Sequence, residues 1–236
     1  MADQLYLSLW YANFRFDQLP LALERVLRQF SLLSLGEGMG DQVHAATVYP
    51  LGWNESPCYQ WVHSDKDPAE QAHPAVVIAR ATELLHSDYA YEFEMRWPLW
   101  LTADPANSEQ SDSDEIDSGE FMREELVGDE LALRPGMHWR EEPRIVRVTG
   151  FGPEFDSGSF EQNGQIRIDL GSDTPFLQED LALDAEATAY IRRNVQRLVD
   201  LTSTIQKNAG AASHLLWSES GENLAQKLMA RLQQLN

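Results

Sequence analysis

Cysteine is almost absent from this chain. Cys58 stands alone among 236 residues, which excludes an intrachain disulfide and a zinc site built on thiolates. Beside Pro57 and Tyr59, with no paired base in view, its thiol is expected to be a small buried apolar group. Basic residues are scarce as well: 18 Lys and Arg face 38 Asp and Glu, a net charge of −20 and a pI near 4.5. A surface of that sign repels phosphate backbones and anionic lipid, so neither nucleic acid nor a membrane is an expected partner. A basic protein partner is expected instead. Long apolar runs are missing too. No stretch approaches membrane-spanning length and no basic segment leads into an apolar one, so a cytoplasmic location is expected.

The signatures of common chemistries are also lacking. No two of the six histidines sit four residues apart as helical metal ligands do, and no Gly-x-Ser-x-Gly elbow occurs. The calcium-loop pattern is not met, although Glu92 and Glu94, and the carboxylates from Asp156 to Asp173, abound. Gly36, Gly38 and Gly40 follow a predicted helix and precede a predicted strand. A phosphate loop needs the opposite order, so they read as a helix end and loop. Nothing in the sequence calls for a cofactor or a bound metal.

What is present is a clear pattern. At residues 89–97 the odd positions are Tyr89, Tyr91, Phe93, Met95 and Trp97, and the even ones Ala90, Glu92, Glu94 and Arg96. Side chains alternate across a strand, so this is a half-buried strand with an aromatic inner face. Ahead of it, residues 5–14 alternate as an inner strand. A helix then begins near Asp17, with Leu19, Leu23, Val26, Leu27 and Phe30 on one stripe. Strands over 43–51 and 58–63 and a helix ending near Leu85 complete a β-α-β-β-α-β order. That is the order of a ferredoxin-like unit, and the chain is expected to be α+β with such a unit over residues 1–102.

Residues 103–130 differ in kind. They carry eleven carboxylates against Arg123 alone, with little apolar surface before Phe121 and Met122, and read as an acidic mobile loop or linker. Residues 131–236 are a second α+β part, with strands at 145–148 and 165–170, a helix over 184–207 and a last helix from Ser220. This part either stands alone or extends the first sheet.

Two candidate sites emerge. The tripeptide His-Ser-Asp occurs as His63, Ser64, Asp65 and again as His86, Ser87, Asp88. Brought together, His63, Asp65, His86 and Asp88 would give a metal-dependent hydrolase a site between the two halves. Serine and aspartate at element boundaries are equally common as caps. The second candidate is a contact surface of Trp97, Trp100, Phe121 and Met122, because large aromatics dominate interface energetics. With charge and composition, this favours a non-catalytic interaction module for a basic partner over the hydrolase. An aromatic sheet face would also suit an apolar ligand, and a free sheet edge would allow two copies to pair.

Overall fold

The computed structural model describes residues 3–33, 42–64, 66–103, 138–177, 184–220 and 226–227. Asp65, the glycines at 36, 38 and 40, the acidic segment with Phe121 and Met122, and nearly all of the last expected helix lie outside them.

The strands are β1 (Gln4–Trp10), β2 (Val43–Pro50), β3 (Tyr59–Val62), β4 (Tyr89–Ala103), β5 (His138–Phe151), β6 (Ile166–Ser172) and β7 (Ser213–Ser218). The helices are α1 (Leu19–Leu33), α2 (Pro74–Ala81), the one-turn α3 (Ser159–Gln162) and α4 (Thr174–Leu177), and α5 (Ala185–Asn208). All seven strands form one sheet in the order β3-β2-β4-β5-β6-β1-β7, and every neighbouring pair is antiparallel.

The fold is therefore mixed α+β, but the strand order is not that of a ferredoxin-like unit. That arrangement would set β1 between β3 and β4. Here β1 lies between β6 and β7, with Leu7 opposite Ile168 on one side and Leu216 on the other. The long partners β4 and β5 run together from Ala90 opposite Phe151 to Ala103 opposite His138. Both edges of β1 are thus filled by strands from the second half of the chain. Element order alone does not decide between these pairings, because either one buries the same alternating faces.

The alternation in β4 is realised. Tyr91, Phe93, Met95, Trp97 and Leu99 are buried, as are Leu5, Leu7 and Leu9 of β1, Val146 and Val148 of β5, and Ile166 and Ile168 of β6. The stripes of α1, α2 and α5 cover this face in one continuous core. Each large side chain buried there contributes about 1.5–3 kcal/mol. The aromatic face is filled by the helices, which removes the apolar-ligand binder.

Local signals explain the helix ends. Asp184 accepts from the Ala187 N–H at 2.7 Å and caps α5. His73 Nδ1 accepts from the Ala75 N–H at 3.3 Å, with Pro74 at the first helical position of α2. Asp17 is not the cap of α1. It pairs with Arg15 in a 3-10 turn, Phe16–Gln18, that precedes the helix.

Buried Asn194 of α5 acts where β4 runs past β2, whose pairing stops at Val43 opposite Met95. Its carboxamide accepts from the Trp100 N–H at 2.9 Å and donates to the Trp100 and Pro175 carbonyls at 2.7 and 2.9 Å. One side chain thus stands in for a strand partner where none of the described strands pairs with β4. Among the described residues no helix is long and apolar enough to cross a membrane.

Candidate functional site

The sequence-predicted residues do not converge. His63 follows β3, where its backbone N–H donates to the His44 carbonyl at 2.8 Å. His86 precedes β4 at the other end of β2, since Tyr89 opposes Pro50 and the Leu51 N–H donates to the Asp88 carbonyl. Six extended residues of β2 separate the two ends, on the order of 20 Å. The imidazoles therefore do not share a metal. Locally, His63 Nδ1 is shielded and 3.9 Å from Asp67 Oδ2, and the His86 ring lies 4.6 Å from that of Tyr89. Among the described residues no group of three or more His, Cys, Asp or Glu is placed to hold a metal ion. Cys58 is exposed rather than buried.

Trp97 is core, not contact surface. It is 1% exposed and packs edge-on against Phe30. Its odd position in β4 puts it on the helix-covered side, a consequence that its closeness to the acidic segment does not alter. Trp100 is half-buried, its ring 4.4 Å from that of Tyr190 with Arg193 above it.

The side of the sheet away from the helices carries a different set of residues. Strand register places Thr47, Glu92, Thr149, Arg167 and Ser8 in one row across it. The next row holds Ala45, Glu94, Arg147, Asp169, Tyr6 and Trp217. The polar groups are mostly paired. Arg147 Nε donates to Glu94 Oε1 at 3.1 Å, Thr149 Oγ1 to Glu92 Oε2 at 3.5 Å, and Trp217 Nε1 to Ser8 Oγ at 3.0 Å. Asp169 Oδ1 accepts from Gln4 Nε2 at 2.5 Å and the Gly171 N–H at 2.9 Å.

At one end of this face, two loops fold down to make a small second core. Trp53 of the β2–β3 turn packs against Tyr49, Phe151 and Phe155, with ring centroids 5.2–6.1 Å apart. The close approach needs glycine: a Cβ on Gly152 would lie 2.2 Å from the Ser87 carbonyl oxygen. Tyr6 stacks on Trp217 at 4.6 Å. Between these groups sits the Arg167 guanidinium, 5.2 Å from the Tyr6 ring, 5.5 Å from Trp53 and 5.4 Å from Phe151. Each such contact is worth about 0.5–2 kcal/mol, depending on desolvation. Its Nε is shielded from solvent and has no hydrogen-bond partner among the described residues, an arrangement that costs about 1–3 kcal/mol.

Burial raises the Glu92 carboxyl above its ordinary range, with Glu94 and Asp169 adding to the shift and Arg147 and Arg167 opposing it. Burial likewise raises the phenols of Tyr49 and Tyr6. The face is thus a set of carboxylates and guanidiniums among large rings.

Sequence reasoning placed Glu92 and Glu94 on the outer side of their strand, and alternation in 165–170 puts Arg167 and Asp169 together. It missed Tyr6, Trp53 and Phe151 around Arg167, because their meeting depends on β1 lying next to β6 and on the turn at Trp53 folding inward. No protein family, characterised protein or solved structure matches the chain.

Proposed function

We propose that the chain is a non-catalytic binding protein that holds a basic partner on the open face of its sheet. The observation that carries this reading is the chemistry of that face. Glu92, Glu94 and Asp169 stand among the rings of Tyr6, Tyr49, Trp53 and Trp217, with α1, α2 and α5 on the opposite side. Carboxylates attract lysine and arginine, and aromatic faces bind the same cations through their quadrupoles. The net charge of −20 adds long-range steering of a positively charged partner.

The test is titration with a nona-arginine peptide, followed by tryptophan fluorescence at rising NaCl, with nona-glutamate as control. Binding of nona-arginine alone, weakening with salt, is expected. Bulk charge would give the same result, so site-directed variants decide. Glu92→Gln/Glu94→Gln is expected to weaken binding several-fold more than Glu70→Gln/Glu83→Gln, which removes two exposed carboxylates elsewhere. Equal losses in both pairs, or no salt-sensitive association, would overturn the reading.

A further inference from the structure

We propose that Arg167 is an oxyanion receptor, its guanidinium held in place by Tyr6, Trp53 and Phe151 so that it takes a carboxylate or phosphate group of a ligand. Arg147 is paired with Glu94, Asp169 with Gln4, and Glu92 with Thr149. Among the described residues Arg167 has neither a hydrogen bond nor an ion pair, only its three ring contacts. Its sheet neighbours offer little: the Thr149 hydroxyl is turned to Glu92 and the Ser8 oxygen already accepts from Trp217.

A guanidinium carries five N–H donors in a rigid fork matched to two oxygens of one carboxylate or phosphate. Here only Nε is shielded. The residue as a whole is half-buried, and the two Nη atoms, equally unpaired, are not among the shielded ones. An acceptor can therefore reach the Nη edge without displacing a ring. The three rings fix the side chain before a ligand arrives, which lowers the ordering cost of binding. They also keep it from folding over to Glu92, which feels its charge without pairing with it. The acidic surroundings disfavour free anions at long range, so recognition falls to this short-range fork.

The assignment does not rest on the basic-partner reading. A partner bearing both signs would satisfy both, whereas a small anion probes Arg167 alone. The experiment is an NMR titration with sodium acetate and, separately, sodium phosphate, at ionic strength held constant with NaCl. It follows the Arg167 Nε–Hε and Trp53 indole resonances. A saturable shift of both is expected, with the better of the two anions naming the carboxylate or the phosphate source. Arg167→Lys keeps the charge and loses the fork, and is expected to weaken the response roughly tenfold. A drift no different from that with chloride, or an undiminished response in Arg167→Lys, would overturn the proposal. The wild-type titration decides without the variant should the variant fold poorly. Nona-arginine binding in a protein that ignores both anions would leave the basic-partner reading standing and remove this one.

Discussion

The two faces of β4 are adjacent in sequence and opposite in physics. Phe93 and its odd-numbered neighbours are buried in the helix-covered core, and their register is fixed by how much surface they hide. Glu92 and Glu94, one residue away on either side, meet hydroxyls, guanidiniums and rings. The covered face stabilises the fold whatever its partners are called. The other face holds charged groups that pair with one another across the strands. One strand therefore separates an apolar side from a charged one by parity alone.

The sharpest way to break this comparison is to truncate each face in turn. Phe93→Ala, fully buried at the centre of the core, is expected to cost about 3–5 kcal/mol in denaturant unfolding. Asn194→Ala removes three hydrogen bonds to Trp100 and Pro175 and leaves buried backbone groups without partners. About 1–3 kcal/mol should be lost, visible first as faster amide exchange at Trp100. Glu94→Ala, next to Phe93 but on the open face, breaks a partly exposed pair with Arg147 and should cost only about 0–1 kcal/mol by the same measurement. A loss at Glu94 as large as that at Phe93 would erase the distinction between the faces.

The smallest expected effect has the opposite sign. Burial raises the folded-state pKa of Glu92 above its ordinary 4.5. Its stabilising contribution is whole below that ordinary value and is lost as pH rises through the folded one. Glu92→Gln is neutral at every pH. Its thermal midpoint should exceed that of the wild type slightly at neutral pH and converge with it below pH 4.5. A wild type that is the more stable at neutral pH would show that Arg147 and Arg167 outweigh burial.

Local features were legible in the sequence because they depend on local chemistry. The odd-even pattern of 89–97 gave the inner face of β4, and Asp184 marked the start of α5. Strand order was not legible. Leu5, Leu7 and Leu9 present the same buried stripe to any neighbour with a matching one, and Ile166, Ile168 and Val146 all qualify. The candidate site failed to appear for the same reason. Arg167 reads as an ordinary outward arginine until β6 is known to lie between β5 and β1, within reach of Tyr6 and Trp53. The histidine tripeptides misled because repetition in sequence says nothing about distance when a whole strand intervenes.

The position of β1 also sets a clock. It leaves the ribosome before every other described strand, whereas the strands that flank it, β6 and β7, follow all the rest. Until Ile168 and Leu216 have been synthesised, Leu7 has no neighbour on either side, while β2, β3 and β4 are already able to pair. A nascent chain therefore carries an apolar strand without its native partners until β6 and β7 emerge. Such strands are where aggregation starts and where chaperones bind. Sheet closure is a late, long-range event, so folding should be slow for a domain of this size.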